Sequence, residues 1–192
     1  MKKALKILII VIMANITKSN GQIPQKWAQY TVEDTINIPI ENYWDLSFKL
    51  NLEEIGSVGN YKELPKIVRT TPVNGNFSKV GDSRRVHFNT DQTLLESIID
   101  WQNPGSFAYE LTELEIDLKQ VAKRARGHFR HYPLPDGKTR VVWTYGFDQK
   151  NFIFKWFIKR YIKTTHQYWM RDTLAEMKRQ TEQLYKKEKD GK

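Results

Sequence analysis

Cysteine is absent from all 192 residues of this chain. Its absence excludes disulfide bonds, thiolate metal sites, cysteine nucleophiles and a lipid-bearing cysteine after a leader. An exported chain without disulfides has to obtain its stability from its hydrophobic core. With 40% hydrophobic and 12% aromatic residues, the composition is sufficient for one such core, and no shift in composition suggests a second domain.

Long apolar runs are scarce as well. The run at residues 7–14 has eight residues, whereas a helix needs ~20 to span a bilayer. Lysines precede this run, and the small residues Ser19, Asn20 and Gly21 follow it at the spacing of a cleavage site. The pattern predicts a signal peptide over residues 1–21 and a single domain over residues 22–192, hence an exported protein, periplasmic or secreted. A membrane anchor formed by an uncleaved leader is the alternative.

Acidic residues are few at the carboxyl end, and this explains the positive charge. The formal net charge is +9 and falls to +5 without residues 1–21, because these contain four lysines and no acid. Residues 150–192 have 12 basic and 5 acidic residues. One basic helix is expected there, with a solvated outer face or a peripheral contact with an anionic membrane. We expect no nucleic-acid partner, since no base-reading motif is present.

Catalytic and metal-binding patterns are missing too: there is no serine triad, no phosphate-binding glycine loop and no internal repeat. His128 and His131 are an odd number of residues apart on a predicted strand, so they point to opposite faces and cannot share a metal ion. We therefore expect no metal, no cofactor and no catalytic residue. Asp34 with a histidine would suit acid–base chemistry, but no spacing identifies such a pair. The histidines are His87, His128, His131 and His166.

What the chain does contain is a regular order of elements. Residues 27–38 alternate between apolar and polar side chains, which predicts a strand, and short helices are expected over residues 41–50 and 61–68. From residue 70 onward, turn signals separate short β segments, which indicates an antiparallel meander. The predicted strands are 83–89, 93–101, 106–111, 127–133 and 138–148, and a loop with a helical turn is predicted over 113–126.

The last long segment, residues 151–187, has no glycine or proline and predicts a helix. Its apolar stripe includes Phe154, Phe157, Ile158 and Tyr161, with lysines and Arg160 opposite. Beyond Met170 the stripe continues, but it is rotated by more than a third of a turn. A bend over residues 164–170, or two packing partners, would explain the rotation.

Aromatic residues share one face on two of the predicted strands. Phe107, Tyr109 and Leu111 alternate on one strand, and Trp143 and Tyr145 on another. These faces are expected to meet the terminal helix, and the result is either a packed core or the wall of a pocket.

Several stretches, taken in order, resemble bacterial members of the START-like or SRPBCC superfamily, which contains polyketide cyclases and lipid-transfer domains. They are GDSRRV at 81–86, LESIIDW at 95–101 with FAYELT at 107–112, ARGHF at 125–129 and GKTRVVWTYGF at 137–147. The resemblance covers residues 27–184. It implies the α+β helix-grip fold, in which a curved antiparallel sheet with two short helices after its first strand wraps around a long C-terminal helix.

The resemblance also implies a deep apolar cavity between sheet and helix, although this fold hosts binding, transport and catalysis alike. The expected function is non-catalytic binding or carriage of a hydrophobic small molecule or lipid. The alternatives are an enzyme of the polyketide cyclase or dehydratase kind, and a structural or partner-binding domain with a filled core. The expected ligand-binding residues are Trp101, Phe107, Tyr109, Trp143, Tyr145, Phe147, Phe157, Tyr161 and Trp169.

Overall fold

The computed structural model describes residues 21–61 and 64–191. The signal peptide predicted over residues 1–21 therefore lies almost wholly outside the described residues. The elements in chain order are β1 (Ala28–Ile36), α1 (Ile40–Ser47), α2 (Leu52–Gly56), β2 (Ile67–Asn74), β3 (Ser83–Phe88), β4 (Thr93–Gln102), β5 (Ser106–Thr112), a 3₁₀ turn (Asp117–Gln120), β6 (Ala122–Pro133), β7 (Thr139–Gln149), α3 (Phe152–Tyr161), a π turn (Ile162–His166) and α4 (Gln167–Asp190).

The strands form one antiparallel sheet in the order β1-β7-β6-β5-β4-β3-β2. Each strand from β2 to β7 pairs with its neighbours in sequence, and β1 pairs with β7 in a register that places Ala28 opposite Phe147. α3 and α4 pack along β1 and β7, and α1 and α2 contact α4. This arrangement confirms the predicted α+β fold with a long C-terminal helix.

The alternation along each strand fixes which face is the interior. On β7 the predicted inward residues Val141, Trp143, Tyr145 and Phe147 are all buried. β6 contributes Phe129 to the same face, and β5 contributes Phe107 and its alternate neighbours. Because side chains on a strand alternate, the two-residue period identifies these inward residues.

The C-terminal helix is continuous, but its hydrogen-bonding pattern changes to the wider π form at Ile162–His166. A π turn adds one residue relative to an α-helix, so the residues after it are rotated by about 100°. Ile158 before the turn and Met170 and Leu174 after it can therefore all be buried. The rotation of the apolar stripe seen in the sequence has its physical cause here.

The second short helix was predicted in the wrong place. The structure has α2 at Leu52–Gly56, residues 64–66 are not helical, and Ile67 begins β2. The side chain of Asn51 caps α2 by accepting a hydrogen bond from the backbone N–H of Glu53 at 2.8 Å. Glu53 and Glu54 lie in the first turn, where acidic side chains stabilise a helix.

The segment before β1 crosses the outer face of the sheet. Arg126 Nη1 donates to the carbonyl oxygen of Gln22 at 2.8 Å. Trp27 is buried, with the guanidinium groups of Arg124 and Arg126 over its ring. The carbonyl of Lys26 accepts from Lys155 of α3 at 2.7 Å. Residues 22–27 thus belong to the folded domain.

Within residues 21–61 and 64–191, no helix combines the length and the apolar character needed to cross a bilayer.

Candidate functional site

A cavity of about 800 Å³ lies between the inner face of the sheet, the two short helices and the C-terminal helix, and it opens to solvent. Pockets for small molecules have volumes of about 300–1,000 Å³, so a whole organic ligand fits. Its aromatic and aliphatic lining includes Phe48, Ile55, Val86, Phe88, Leu94, Phe107, Leu111, Phe129, Trp143, Phe147 and Met177.

Eight of the nine residues expected to bind a ligand line this cavity. Those on β5 and β7 are Phe107, Tyr109, Trp143, Tyr145 and Phe147, and all five are buried. Those on the C-terminal helix are Phe157, Tyr161 and Trp169.

Trp101 is the exception, because it lies outside the cavity lining. A β-bulge between Ile98 and Asp100 shifts the register of β4 and places Trp101 beside Phe107. Its ring packs against Trp44 and Phe48 of α1 and its C-terminal end, with centroid distances of 4.9 and 4.6 Å. These two side chains fill that end of the interior, so Trp101 contributes to the packed core under α1.

Phe157 is on the cavity lining but is also 51% exposed. The apolar stripe predicts an inward position for it, together with Phe154 and Tyr161. On the helix it lies at the border between the buried and outward faces. It consequently marks the edge of the cavity mouth.

Stacked rings form the floor of the cavity. Phe129 lies parallel to Phe107 at 5.0 Å and nearly parallel to Trp143 at 4.9 Å. Sequence reasoning did not select Phe129, although its strand was predicted and its alternation with Gly127 and His131 was the available signal. Trp169 is held over this floor by a hydrogen bond from its indole N–H to the carbonyl of Gly56 at 3.0 Å.

A charged pair interrupts the apolar lining. Arg84 Nε of β3 donates to Glu96 Oε2 of β4 at 2.6 Å, and the side chain of Glu96 is only 8% exposed. The ring of Phe77 lies over the guanidinium at 3.8 Å. Both members of the pair line the cavity. Sequence reasoning missed them, although Arg84 alternates with Val86 and Glu96 with Leu94.

The phenols of Tyr109 and Tyr145 add two more polar groups to the cavity lining. Burial raises the pKa of Tyr109 well above its usual value, and the nearby Glu96 carboxylate adds to the effect. Burial, together with Tyr109, also raises the pKa of Tyr145. Both hydroxyls therefore keep their protons at neutral pH and can donate hydrogen bonds. Arg84, Glu96, Tyr109 and Tyr145 are called the polar strip below.

His166, at the end of the π turn of the C-terminal helix, contacts Tyr145 of the polar strip. Its ring centroid is 4.6 Å from that of Tyr145 and 5.1 Å from that of Trp169. Burial lowers the pKa of His166 to about 3, so the imidazole is neutral at physiological pH. A neutral ring among aromatic side chains suits an uncharged part of a ligand.

The other ionisable candidates lie apart. His131 packs against Tyr43, and its Nδ1 lies 3.1 Å from the carbonyl oxygen of Pro104. His87 contacts Thr71 on β2, and Asp34 contacts Lys178 of α4. No group of three His, Asp or Glu residues in the described part of the chain could hold a metal ion.

Comparisons with known proteins identify the fold. No protein-family model matches the sequence, and no curated protein matches it. Among solved structures, a protein from Thermus thermophilus has a TM-score of 0.55 at 17% identity, over 80% of this chain and 96% of that one. Ginseng major latex-like protein 151 from Panax ginseng has 0.56 at 13%, over 79% and 95%. Ara h 8.0201 has 0.52 at 14%, over 79% and 97%. The chain has the helix-grip fold that the resemblance implied.

Proposed function

We propose that this protein binds or carries a hydrophobic small molecule or lipid in the cavity between its sheet and its C-terminal helix, without catalysing a reaction. The observation that supports this most is the cavity itself, about 800 Å³ lined mainly by aromatic and aliphatic side chains. Moving apolar surface of a ligand from water into such a site is favourable by about 25 cal/mol per Å².

The filled-core alternative is opposed by the same volume. A core packed by its own side chains leaves few voids larger than a water molecule. Here the large rings of Phe107, Phe129 and Trp143 stack on the sheet and leave the space above them open. A domain that served only as a scaffold would have no need for this space.

The polar strip restricts the chemistry of the ligands that the cavity would accept. Arg84 and Glu96 form an ion pair, and the phenols of Tyr109 and Tyr145 are protonated donors. A ligand with a large apolar body and one uncharged hydrogen-bonding group, such as a hydroxyl or carbonyl, would satisfy the strip and fill the rest of the cavity. Amphipathic lipids and polycyclic alcohols or ketones belong to this class.

The cyclase or dehydratase alternative requires a proton acceptor that faces the ligand. Glu96 is the buried carboxylate of the lining, and Arg84 already holds it in an ion pair. His166 has a pKa of about 3, which makes it a weak base. Binding therefore fits the site better than acid–base catalysis does.

The proposal includes the cellular location. The basic start and short apolar run of residues 1–21 support export, with the mature chain beginning near Gln22. A peripheral contact of the basic C-terminal helix with a membrane belongs to the same proposal. Amino-terminal sequencing of the exported protein tests the first point, and an intact Met1 in the membrane fraction would favour the anchored alternative.

Native mass spectrometry of the purified protein tests ligand binding. We expect a co-purified lipid, or uptake of an added fluorescent fatty alcohol, whose single hydroxyl is uncharged. Leu111→Trp would fill the cavity from its lining and should reduce uptake, whereas Val80→Trp on an exposed loop should not. Absence of uptake by the unmodified protein, or equal uptake by the Leu111 variant, would overturn the proposal.

A further inference from the structure

The outward face of α3 carries large apolar side chains that nothing covers within the described residues. Phe152 is 84% exposed, Trp156 62%, Ile153 54% and Phe157 51%. The rings of Trp156 and Phe157 contact each other at 5.0 Å. We refer to these four residues as the α3 patch. Single exposed apolar residues are common, but a contiguous group of this size marks an interaction surface.

Cations share this face with the patch. At 100° per residue, Lys159, Arg160 and Lys163 fall on the same side of the helix as Phe152 and Trp156. All three are exposed, and none forms an ion pair with a residue that the structure describes. Residues 149–171 contain no Asp or Glu. The surface is thus both apolar and positively charged, with no acid in this segment to neutralise it.

The α3 patch reaches the cavity through one of its members, Phe157. Phe157 belongs to the patch and to the cavity lining, and Ile158 and Tyr161 on the next turn line the cavity as well. On the other side, Asn151 caps the helix by accepting from the N–H groups of Ile153 and Phe154 at 3.0 and 3.1 Å. The cap fixes the start of α3, and with it the position of the exposed Phe152 in the first turn of the helix.

We propose that the α3 patch docks this protein on an anionic lipid bilayer, so that the cavity opens toward the membrane from which its ligand comes. This inference rests on the proposed function and names the source of the ligand. Aromatic side chains suit the interface between headgroups and acyl chains, and exposed lysine and arginine suit anionic headgroups.

A bilayer explains the surface better than a protein partner does. A protein interface depletes charge at its centre and surrounds apolar residues with a mixed polar rim. The α3 patch instead lies next to three cations of one sign. Only an extended negative surface attracts all three together while accepting the aromatic rings.

The cations and the aromatic side chains each contribute to the affinity for the membrane. A cation near an anionic surface contributes about a fivefold change in affinity. Loss of three cations should therefore weaken binding on the order of a hundredfold. Removing one large aromatic side chain from the interface should weaken binding by about tenfold or more. Salt should reduce the first contribution and leave most of the second.

Vesicle sedimentation with the whole chain tests the proposal. Vesicles of phosphatidylcholine with phosphatidylglycerol should bind the protein, and vesicles of phosphatidylcholine alone should bind it more weakly. Phe152→Ser with Trp156→Ser should reduce binding to both. Lys159→Gln, Arg160→Gln and Lys163→Gln together should reduce binding to the anionic vesicles to the level of the neutral ones.

Matched controls show whether vesicle binding depends on where these side chains lie, or only on the total charge and hydrophobicity of the protein. Lys186→Gln, Lys187→Gln and Lys189→Gln remove the same charge from the exposed end of α4 and should leave vesicle binding unchanged. Val80→Ser removes an exposed apolar residue from a loop away from α3 and should also leave vesicle binding unchanged. Equal losses from the two sets of cations, or full binding by the Phe152 and Trp156 variant, would overturn the proposal. So would patch-dependent dimerisation without vesicles, because a second copy would then be the occupant.

Uptake of the fluorescent fatty alcohol in the absence of vesicles distinguishes this proposal from the proposed function. The Phe152 and Trp156 variant should take up the probe normally, since neither residue lines the cavity. Vesicle binding with no uptake would contradict the proposed function and leave the docking surface standing. Normal uptake with no vesicle binding would contradict the docking surface and the membrane contact of the C-terminal helix, and leave ligand binding in the cavity standing.

Discussion

The phenol ring of Tyr109 occupies the space in which a side chain at Gly127 would lie. The two residues are opposite each other on β5 and β6, and a Cβ atom built at position 127 would overlap the ring. Glycine is needed here for space, and not for an unusual backbone conformation. The contact holds Tyr109 flat on the sheet and keeps its hydroxyl in the polar strip.

Gly127→Ala is therefore expected to displace Tyr109 toward the cavity. The overpacking should lower the free energy of unfolding by about 1–3 kcal/mol and reduce uptake of the fluorescent fatty alcohol. Chemical denaturation and probe titration measure the two effects. Gly105→Ala is the matched control, because the nearest atom to a Cβ there is at 3.5 Å. In a Tyr109→Leu background, Gly127→Ala should have almost no cost relative to Tyr109→Leu alone; an unchanged cost would mean that the steric explanation is wrong.

The ion pair between Arg84 and Glu96 in the cavity predicts how substitutions of these two residues change the free energy of unfolding. Arg84→Met leaves the buried carboxylate of Glu96 without its partner and should cost roughly 3 kcal/mol, whereas Arg84→Met with Glu96→Leu should be close to neutral. Arg140→Met breaks an exposed pair with Glu33, whose side chains are 48% and 55% exposed, and should cost less than about 1 kcal/mol. Equal costs for Arg84→Met and Arg140→Met in urea denaturation would contradict the buried pair.

Deleting Thr164 tests the π turn. The side chain of Thr164 is exposed and its hydroxyl donates to the carbonyl of Arg160 at 3.0 Å. Loss of one residue would restore regular α-helix and rotate Met170 and Leu174 by about 100° away from the sheet. We expect a loss of about 3 kcal/mol or more, measured by thermal and chemical unfolding. Thr164→Ala retains the register and should remain close to the unmodified protein; similar stability of the deletion would contradict the assignment.

Acid should destabilise the protein through its buried histidines. Burial lowers the pKa of His128 and His131 to about 4 and that of His166 to about 3. The unfolded chain takes up these protons near its ordinary pKa of ~6.5, and the native state does so only at lower pH. Stability is therefore complete above pH ~6.5 and falls as pH drops toward about 4, by about 1.4 kcal/mol per pH unit for each such histidine.

His166→Phe provides the measurement. Its free energy of unfolding, followed by urea denaturation between about pH 4 and pH 7, should fall with a slope that is smaller by one proton. His87→Phe changes a half-buried histidine outside the cavity and serves as the control. An unchanged slope for the His166 variant would show that this ring does not remain neutral in the native state.

The two-residue and 3.6-residue periods predicted most of the fold. They located β1, β3, β4, β5 and β7 closely and identified Trp143, Tyr145 and Phe147 as inward residues, because burial of one strand face is a local property of the sequence. β6 begins at Ala122, inside the segment predicted as a loop, and β2 was not predicted as a strand. They also showed that the stripe of the terminal helix rotates. The second short helix was misplaced because the capping residue Asn51, which immediately precedes α2, was not recognised as a start signal.

The parts of the site that escaped prediction depend on non-local geometry. The sequence does not show that a bulge at β4 turns Trp101 toward the aromatic side chains of α1, or that Arg84 and Glu96 meet inside the cavity. Charged residues in strands are ordinarily exposed, and only the pairing of β3 with β4 shows that these two neutralise each other. The α3 patch was missed because the sequence alone does not show that Phe152 and Trp156 lack a packing partner.

Pairing between the first and last strands also determines when this chain can fold. Ala28 and Phe147 lie side by side in the sheet, so β1 has no partner until nearly the whole domain has been synthesised. Closing so long a loop is slow, and folds dominated by distant contacts form slowly. A ribosome-bound chain thus cannot complete its sheet while its amino end is already free. The proposed export would benefit from this delay, since a translocation channel accepts the polypeptide before its sheet has closed.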